Sequence, residues 1–168
     1  MLSENEYYRL YSFFVTYSMC GTQSAKKRTF TEYGWKEENV RKTLLGTSLL
    51  SVLNLKNNSN FIFTEKDDLK SQFDEHNLKD DRLENVDKER AVIAKTSEDN
   101  NYLKLFHRIR NGLAHGKFEL RFSSNREKMI VIQDNDKYNV TARIVIKLAT
   151  LQAFISTVDP NGLIMSNS

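Results

Sequence analysis

The sequence predicts an all-α fold, a helical bundle with a small antiparallel β-ribbon between its last two helices. Apolar residues recur at intervals of three and four along most of the chain, as they do in amphipathic helices. After Gly116 the interval changes to two, which is typical of strands. The chain has 168 residues and shows neither an internal repeat nor a linker. We therefore expect one domain over 1–160 and a tail over 161–168.

Two helices are predicted in the first third of the chain. Asn5 to Met19 is rich in tyrosine, leucine and phenylalanine at helical spacing, and Gly21 follows as a stop signal. Glu37 to Leu55 carries leucine and valine residues on one side and ends at the polar stretch KNNSN. The polar stretch between these two segments predicts a loop.

The middle of the chain is strongly charged, and its periodicity is weaker. Phe61 to Asn77 indicates a short strand, FIF, and one helical piece. Asp80 to Lys95 predicts a third helix, because apolar residues recur along it and two acids at its start suit a helix N-terminus. A further helix is predicted from about Asp99 to His115, where Gly116 occupies the position of a closing C′ glycine.

Three strand-like stretches follow this helix and form the expected ribbon. KFELRF alternates apolar and charged residues, SSNREK is a turn, and MIVIQD is a second strand. NDK turns again into YNVTARIVI. Lys147 to Val158 then returns to helical spacing, and the single proline, Pro160, marks the start of the tail.

Composition narrows the class of protein. Hydrophobic residues make up 39% of the chain and charged residues 28%, as in folded soluble domains. No run of eighteen apolar residues predicts a membrane span, and the start of the chain lacks the basic and apolar regions of a secretory signal. Cys20 is the single cysteine, so no internal disulfide can form. These observations predict a cytoplasmic protein that does not enter a membrane.

Charge is spread unevenly along the chain. The formal net charge is +3, but residues 65–90 hold ten acids against six bases, whereas residues 102–150 hold ten bases against four acids. By itself such asymmetry indicates only a solvated face. It matters because the stretch FHRIRNGLAHGKF, which has the most unusual composition in the chain, lies in the basic part.

This stretch, Phe106 to Phe118, lies on a helix with two chemically different sides. Arg110 and His115 are five residues apart, about 140° around the helix axis, so they cannot easily meet within one helix. Two copies of the chain that face each other over the small Ala114 could place arginines and histidines around one cleft. The buried stripe is predicted to be Leu105, Phe106, Ile109 and Leu113, and the polar side His107, Arg110, Asn111, Ala114 and His115.

The polar side has the residue types that phosphodiester chemistry needs. Histidine can move a proton near neutral pH, and arginine stays charged and binds phosphate with two parallel hydrogen bonds. Together they suit attack by a ribose 2′-hydroxyl on the adjacent phosphate, without a metal ion. Spacing alone favours another interpretation, in which His115 caps the helix C-terminus and Arg110 is solvated.

The residues RIRNGLAHG resemble the signature of HEPN domains, which is an arginine, a polar residue, several intervening positions and a histidine. The resemblance places the catalytic arginine at Arg110, the polar residue at Asn111 and the catalytic histidine at His115. The order of late helix, glycine, β-ribbon and closing helix is also similar to small bacterial HEPN proteins of the plasmid and defence-island type. The similarity covers about Tyr102 to Val158.

The resemblance implies a HEPN-type bundle that dimerises through its motif helices and, as in many members, cuts RNA without a cofactor or metal. It therefore implies RNA as substrate and an antitoxin or defence-system protein as a further partner. Ala114 is assigned to the dimer interface, and His107, Arg108 and Lys117 to supporting or RNA-binding roles. The alternative is a catalytically silent HEPN module that binds RNA, a nucleotide or a protein.

Other chemistries find little support in the sequence. His76 and His107 are not accompanied by the cysteines or clustered carboxylates of a zinc site. There is no glycine-rich phosphate loop and no Gly-x-Ser-x-Gly elbow. In HEPN toxins that are silenced by nucleotidylation, the modified tyrosine follows two residues after the histidine. Lys117 occupies that place here, so we do not extend that mode of control to this chain.

Overall fold

The computed structural model describes residues 1–20, 26, 28–53, 60–79, 83, 85–96, 100–137 and 139–164. Within these ranges the chain forms two compact units. A helical unit contains residues 1–57 and 149–168, and a sheet unit contains residues 58–148. The expectation of one domain over 1–160 stays a prediction. No helix in the described ranges is long and apolar enough to cross a bilayer.

The helical unit begins with the two predicted helical segments. Helix α1, Glu4–Tyr11, starts with a capping box, in which Ser3 and Glu6 bond each other's backbone N–H groups. It continues without a break into π-type turns over Ser12–Thr16. The second segment comprises three short successive pieces. Positions 54 and 55, at its predicted end, lie outside the described residues. These pieces are α2, Glu37–Asn39, π-type turns over Val40–Ser48, and α3, Leu49–Leu53.

Aromatic rings form the centre of the helical unit. The rings of Phe13 and Phe14 lie 6.1 and 5.9 Å from that of Phe154 on helix α6, Leu148–Val158. Tyr33, fully buried beside Phe13, donates its hydroxyl to the Tyr17 carbonyl, and burial raises the pKa of its phenol. The predicted last helix is therefore confirmed, and its apolar side packs against the first helical segment.

The start of the predicted tail is folded onto the end of α6. The carboxylate of buried Asp159 accepts hydrogen bonds from the backbone N–H groups of Leu163 and Ile164, at 2.8 and 3.0 Å. The Ile164 side chain is buried as well. Residues 165–168 of the tail lie outside the described residues.

The sheet unit overturns the predicted all-α class, because a five-stranded mixed sheet dominates it. The strand order is β1-β2-β5-β4-β3, with β1 and β2 parallel and the remaining neighbours antiparallel. Two helices, α4 and α5, belong to the same unit. The bounds are β1 Phe61–Thr64, α4 Leu69–Glu75, β2 Arg90–Ala94, α5 Asn101–Ala114, β3 Phe118–Phe122, β4 Lys128–Asp136 and β5 Asn139–Lys147.

The prediction of a helix over Asp80 to Lys95 is wrong, since Arg90–Ala94 is strand β2. All five of its residues are buried, because the strand is central in the sheet and helices α4 and α5 both pack against it. A strand buried on both faces has a continuous apolar run instead of an alternating one, and such a run resembles a buried helix in sequence. Residues 80–82 and 84 of that predicted helix lie outside the described residues.

The ribbon and the short FIF strand were predicted correctly, but the sheet that they form was not. Strands β3, β4 and β5 are the three predicted ribbon strands, joined in antiparallel register. FIF is the start of β1 and the helical piece after it is α4. Pairing of β2 with both β1 and β5 extends the ribbon into one sheet, and this sheet is the surface on which α5 packs.

Candidate functional site

Helix α5 carries the arginine and histidine motif and lies against the sheet. Its first turn is capped by Asn100, whose side-chain oxygen accepts a hydrogen bond of 3.0 Å from the Leu103 N–H. The predicted buried stripe is confirmed, because each of its four residues is at most 4% exposed: Leu105, Phe106, Ile109 and Leu113. The motif is therefore built on a rigid element.

The C-terminal end of α5 is a Schellman motif. Gly116, with φ of 64°, donates to the Leu113 carbonyl at 3.2 Å, and Lys117 donates to the Gly112 carbonyl at 2.8 Å. The predicted closing glycine is thus confirmed. The Lys117 carbonyl then accepts a 3.0 Å bond from Gln133 of β4, which ties the turn to the sheet. His115 is the C-cap residue, and its side chain is exposed beside this turn.

Gly112 allows the helix to approach β4 closely. A Cβ atom at this position would lie 2.2 Å from Cγ2 of Ile132 and 3.4 Å from the Gln133 carbonyl oxygen. No side chain larger than hydrogen fits in this space without movement of the strand or the helix. The close approach brings Asn111, the polar neighbour of Gly112, within reach of the next buried residue of β4, Asp134.

Arg108 faces the sheet and is almost completely buried. Its Nη1 lies 2.7 Å from Oδ2 of Asp134 and 3.1 Å from Oγ1 of Thr141, and its Nη2 lies 3.4 Å from the Ala94 carbonyl oxygen. The side chains of this ion pair are 9% and 2% exposed, so the pair is screened from water. This geometry places Arg108 where it can support the site, while RNA contact by its guanidinium stays a prediction.

Asn111 connects this buried pair to the motif arginine. Its Nδ2 donates to Oδ2 of Asp134 at 3.3 Å, and its Oδ1 accepts from Nη1 of Arg110 at 3.0 Å. The structure thus brings Arg108, Arg110 and Asn111 into one hydrogen-bonded chain that ends on β4 and β5. The polar residue of the motif is the central member of that chain.

Arg110 is buried, although the sequence placed it on the polar side of the helix. It is 7% exposed, and its Nε has no hydrogen-bond partner in the described part of the chain. Unsatisfied buried donors are uncommon, and the Nε atoms of Arg90 and Arg108 are in the same state. No hydrogen bond joins Arg110 to His115 within the described residues, in agreement with their predicted angular separation.

The other predicted site residues lie around the end of α5. His107, Asn111 and Ala114 are half-buried, and Lys117 is exposed at the Schellman turn. His115 is the C-cap residue, as the capping interpretation predicts. The same interpretation predicts a solvated Arg110, but Arg110 is buried. Among the described residues, no three histidine, cysteine, aspartate or glutamate side chains lie close enough together to hold a metal ion.

Sequence reasoning missed Asp134 and Thr141. A signal for Asp134 was present, because alternation along β4 puts it on the same face as Ile130 and Ile132, and both are fully buried. An acid on a core face requires a nearby cation or several donors. Thr141 had no comparable signal, since its place beside Asp134 depends on an irregularity in strand pairing.

Comparison with known protein families gave one match. Residues 12–160 match a family model described as HEPN pEK499 p136, which covers most of the chain and includes all of α5. No curated protein and no solved structure matches the chain in the two other comparisons.

Proposed function

Since the chain belongs to the HEPN family described as HEPN pEK499 p136, we propose that it is a metal-independent endoribonuclease with a composite site at a homodimer interface. HEPN domains are generally nuclease or RNA-binding modules. Arg110, Asn111 and His115 are assigned to catalysis, and a role in a toxin–antitoxin or anti-phage system fits the family. The assignment rests on the geometry of α5 as well as on the family.

The observation that carries the proposal is the state of Arg110. Asn111 holds one end of its guanidinium through Nη1, while its Nε has no partner in the described residues. A guanidinium presents its five N–H groups as a planar fork that suits the oxygen atoms of a phosphate. Arg110 therefore has a guanidinium that is held at one end, and its remaining N–H groups are the ones that would stabilise charge on a phosphate.

His115 supplies the proton-transfer group. It lies at the exposed C-cap of α5, one turn away from Asn111, and Lys117 is exposed beyond it. Because the two motif residues do not contact each other within one chain, a complete site needs a second copy. Packing of two α5 helices across Ala114 brings the arginine and histidine of both copies to one phosphodiester.

The proposed reaction is attack by a 2′-oxygen on the neighbouring phosphorus atom. One histidine accepts the 2′-hydroxyl proton as the P–O bond forms, and the other donates a proton to the departing 5′-oxygen. Arg110 stabilises the additional negative charge on the phosphorane oxygen atoms. The products are a 2′,3′-cyclic phosphate and a 5′-hydroxyl, so no water is consumed in this step.

A catalytically silent HEPN module is the second candidate. The burial of Arg110 favours it, because a guanidinium that is only 7% exposed has little open surface for a substrate. In this case α5 would bind RNA, a nucleotide or a protein through exposed residues such as His115 and Lys117. The two candidates differ in one observable, which is cleavage of RNA by the purified protein.

The test is incubation of the purified chain with mixed RNA in excess EDTA, followed by analysis of the ends. We expect cleavage that leaves 2′,3′-cyclic phosphates and 5′-hydroxyls. Binding without cleavage would support the silent module. Cleavage that leaves 5′-phosphates would contradict the proposed mechanism, because it requires water as the nucleophile.

A further inference from the structure

The carboxylate of Asp134 lies behind the motif, and the geometry of its contacts leads to a further role. It does not contact Arg110 directly, but it accepts a hydrogen bond from Asn111, which in turn accepts one from Arg110. We propose that Asp134 is a positioning residue that orients the Arg110 guanidinium through Asn111. This inference rests on the proposed function of Arg110 and adds a residue from β4 to the site.

The side-chain amide of Asn111 has a donor end and an acceptor end. An ionised carboxylate only accepts hydrogen bonds, so the amide must turn its NH₂ group toward Asp134. Its oxygen is then directed at Arg110, which only donates. The carboxylate and the guanidinium therefore hold the two ends of the amide in one orientation. An apolar residue at position 134 would leave the amide held at its oxygen end only.

Asp134 is itself held in place by neighbouring side chains. Its Oδ2 accepts from Arg108 at 2.7 Å, and the Thr141 hydroxyl lies 3.2 Å from both this atom and the Asp134 backbone oxygen. Three different residues thus converge on one carboxylate oxygen. With Asp134 only 2% exposed, water cannot replace any of them easily.

Thr141 reaches Asp134 through a β-bulge. Asp134 pairs with Ala142, but the next residue, Asn135, pairs with Val140, so Thr141 is an extra residue on β5. Bulges redirect a side chain locally and are frequent beside active sites. Here the bulge brings the hydroxyl of Thr141 to the carboxylate and the guanidinium of Arg108.

A purely structural role for Asp134 is the competing explanation, since it neutralises buried Arg108. Two variants separate the roles of charge and orientation. Asp134→Asn loses the charge but keeps a side-chain oxygen atom. Because Arg108 only donates, it holds this oxygen in the position where it can accept the hydrogen bond from Asn111. The double variant Arg108→Met with Asp134→Leu removes both charges together, so it preserves charge balance but leaves Asn111 without an acceptor for its NH₂ group.

The two variants should therefore show opposite effects on stability and on kcat. Asp134→Asn leaves a buried guanidinium without its counterion, and we expect Tm to fall by roughly 10 °C while most of kcat is retained. The double variant should keep a Tm closer to wild type but lose on the order of 100-fold in kcat, as expected for a displaced catalytic group, with a smaller change in KM. Ile146→Ala, a buried residue of β5 without polar contacts to the motif, is the control for loss of Tm alone.

A second readout is independent of RNA cleavage. The ¹H–¹⁵N NMR signal of the Arg110 Nε–H group, assigned by its loss in Arg110→Lys, should stay near its wild-type position in Asp134→Asn. In the double variant it should shift or broaden. If the double variant keeps wild-type kcat and an unchanged Arg110 signal, the positioning role is wrong. If wild-type protein cuts no RNA, the proposed function fails, and the NMR signal alone still decides the role of Asp134.

Discussion

Gly112 on α5 and Ile132 on β4 are so close that a Cβ atom added to the glycine would lie 2.2 Å from the Ile132 Cγ2 atom. This contact sets the distance between the motif helix and the sheet. The neighbouring residue Asn111 reaches Asp134 because of it. The packing of one small residue therefore controls the geometry of the polar chain behind the motif.

We expect Gly112→Ala to destabilise the protein by about 1–3 kcal/mol, because the branched Ile132 side chain cannot yield without a shift of the helix or strand. Adding Ile132→Ala should recover part of this loss, although Ile132→Ala alone costs about 2–5 kcal/mol. Chemical unfolding of the four proteins in this cycle measures the coupling. Purely additive effects would contradict the close contact.

Replacement of His115 should remove cleavage without loss of stability. His115→Ala changes an exposed C-cap residue, so Tm should stay near wild type while the rate in EDTA falls to background. His115→Lys tests whether a positive charge is sufficient, and we expect it to be inactive because lysine cannot move a proton readily near neutral pH. A cleaving His115→Ala variant would end the catalytic assignment.

Variants of Arg110 must separate the loss of activity from the loss of stability, because this side chain is buried. Arg110→Lys keeps the charge but loses the planar fork, so we expect a large drop in kcat with a modest drop in Tm. Arg110→Ala should lose both activity and some stability, since the packing of the stem is lost as well. Wild-type kcat in Arg110→Lys would show that bidentate phosphate binding is not required.

Ala114 tests the shared site. Ala114→Glu places a large charged side chain on the face where two α5 helices are proposed to meet, and it should weaken dimerisation and activity together. Sedimentation at micromolar concentration measures the first effect and the RNA assay measures the second. Ala114→Ser, which is small and uncharged, is the matched control. A monomeric wild-type protein that cuts RNA would contradict the composite site.

Lys117 tests RNA contact at the end of α5. It is exposed at the Schellman turn, where its backbone, and not its side chain, holds the turn to β4. Lys117→Ala should raise the Kd for single-stranded RNA and reduce the slope of log Kd against log salt by about 0.7, the loss of one phosphate contact. An unchanged slope would place the RNA elsewhere. Lys95→Ala, an exposed lysine paired with Glu65, is the control for general charge.

The sequence by itself determined the local parts of this protein. Helix α5, its buried stripe and its closing Gly116 follow from contacts between residues three to five positions apart, so periodicity and one glycine predict them. The same holds for β3, β4 and β5, which are joined by short turns. The HEPN signature also lies within one helix, and the family match agrees with it.

Only the tertiary structure decided the fold class and the environment of the motif. Strand β2 is buried by elements from other parts of the chain, so its apolar run did not distinguish a strand from a helix. Likewise, Arg108 and Asp134 are 26 residues apart, and their pairing requires α5 to pack on β4 through Gly112. Burial of Arg110 could not be predicted either, because helical spacing assigns a face to a residue but cannot specify what will cover it.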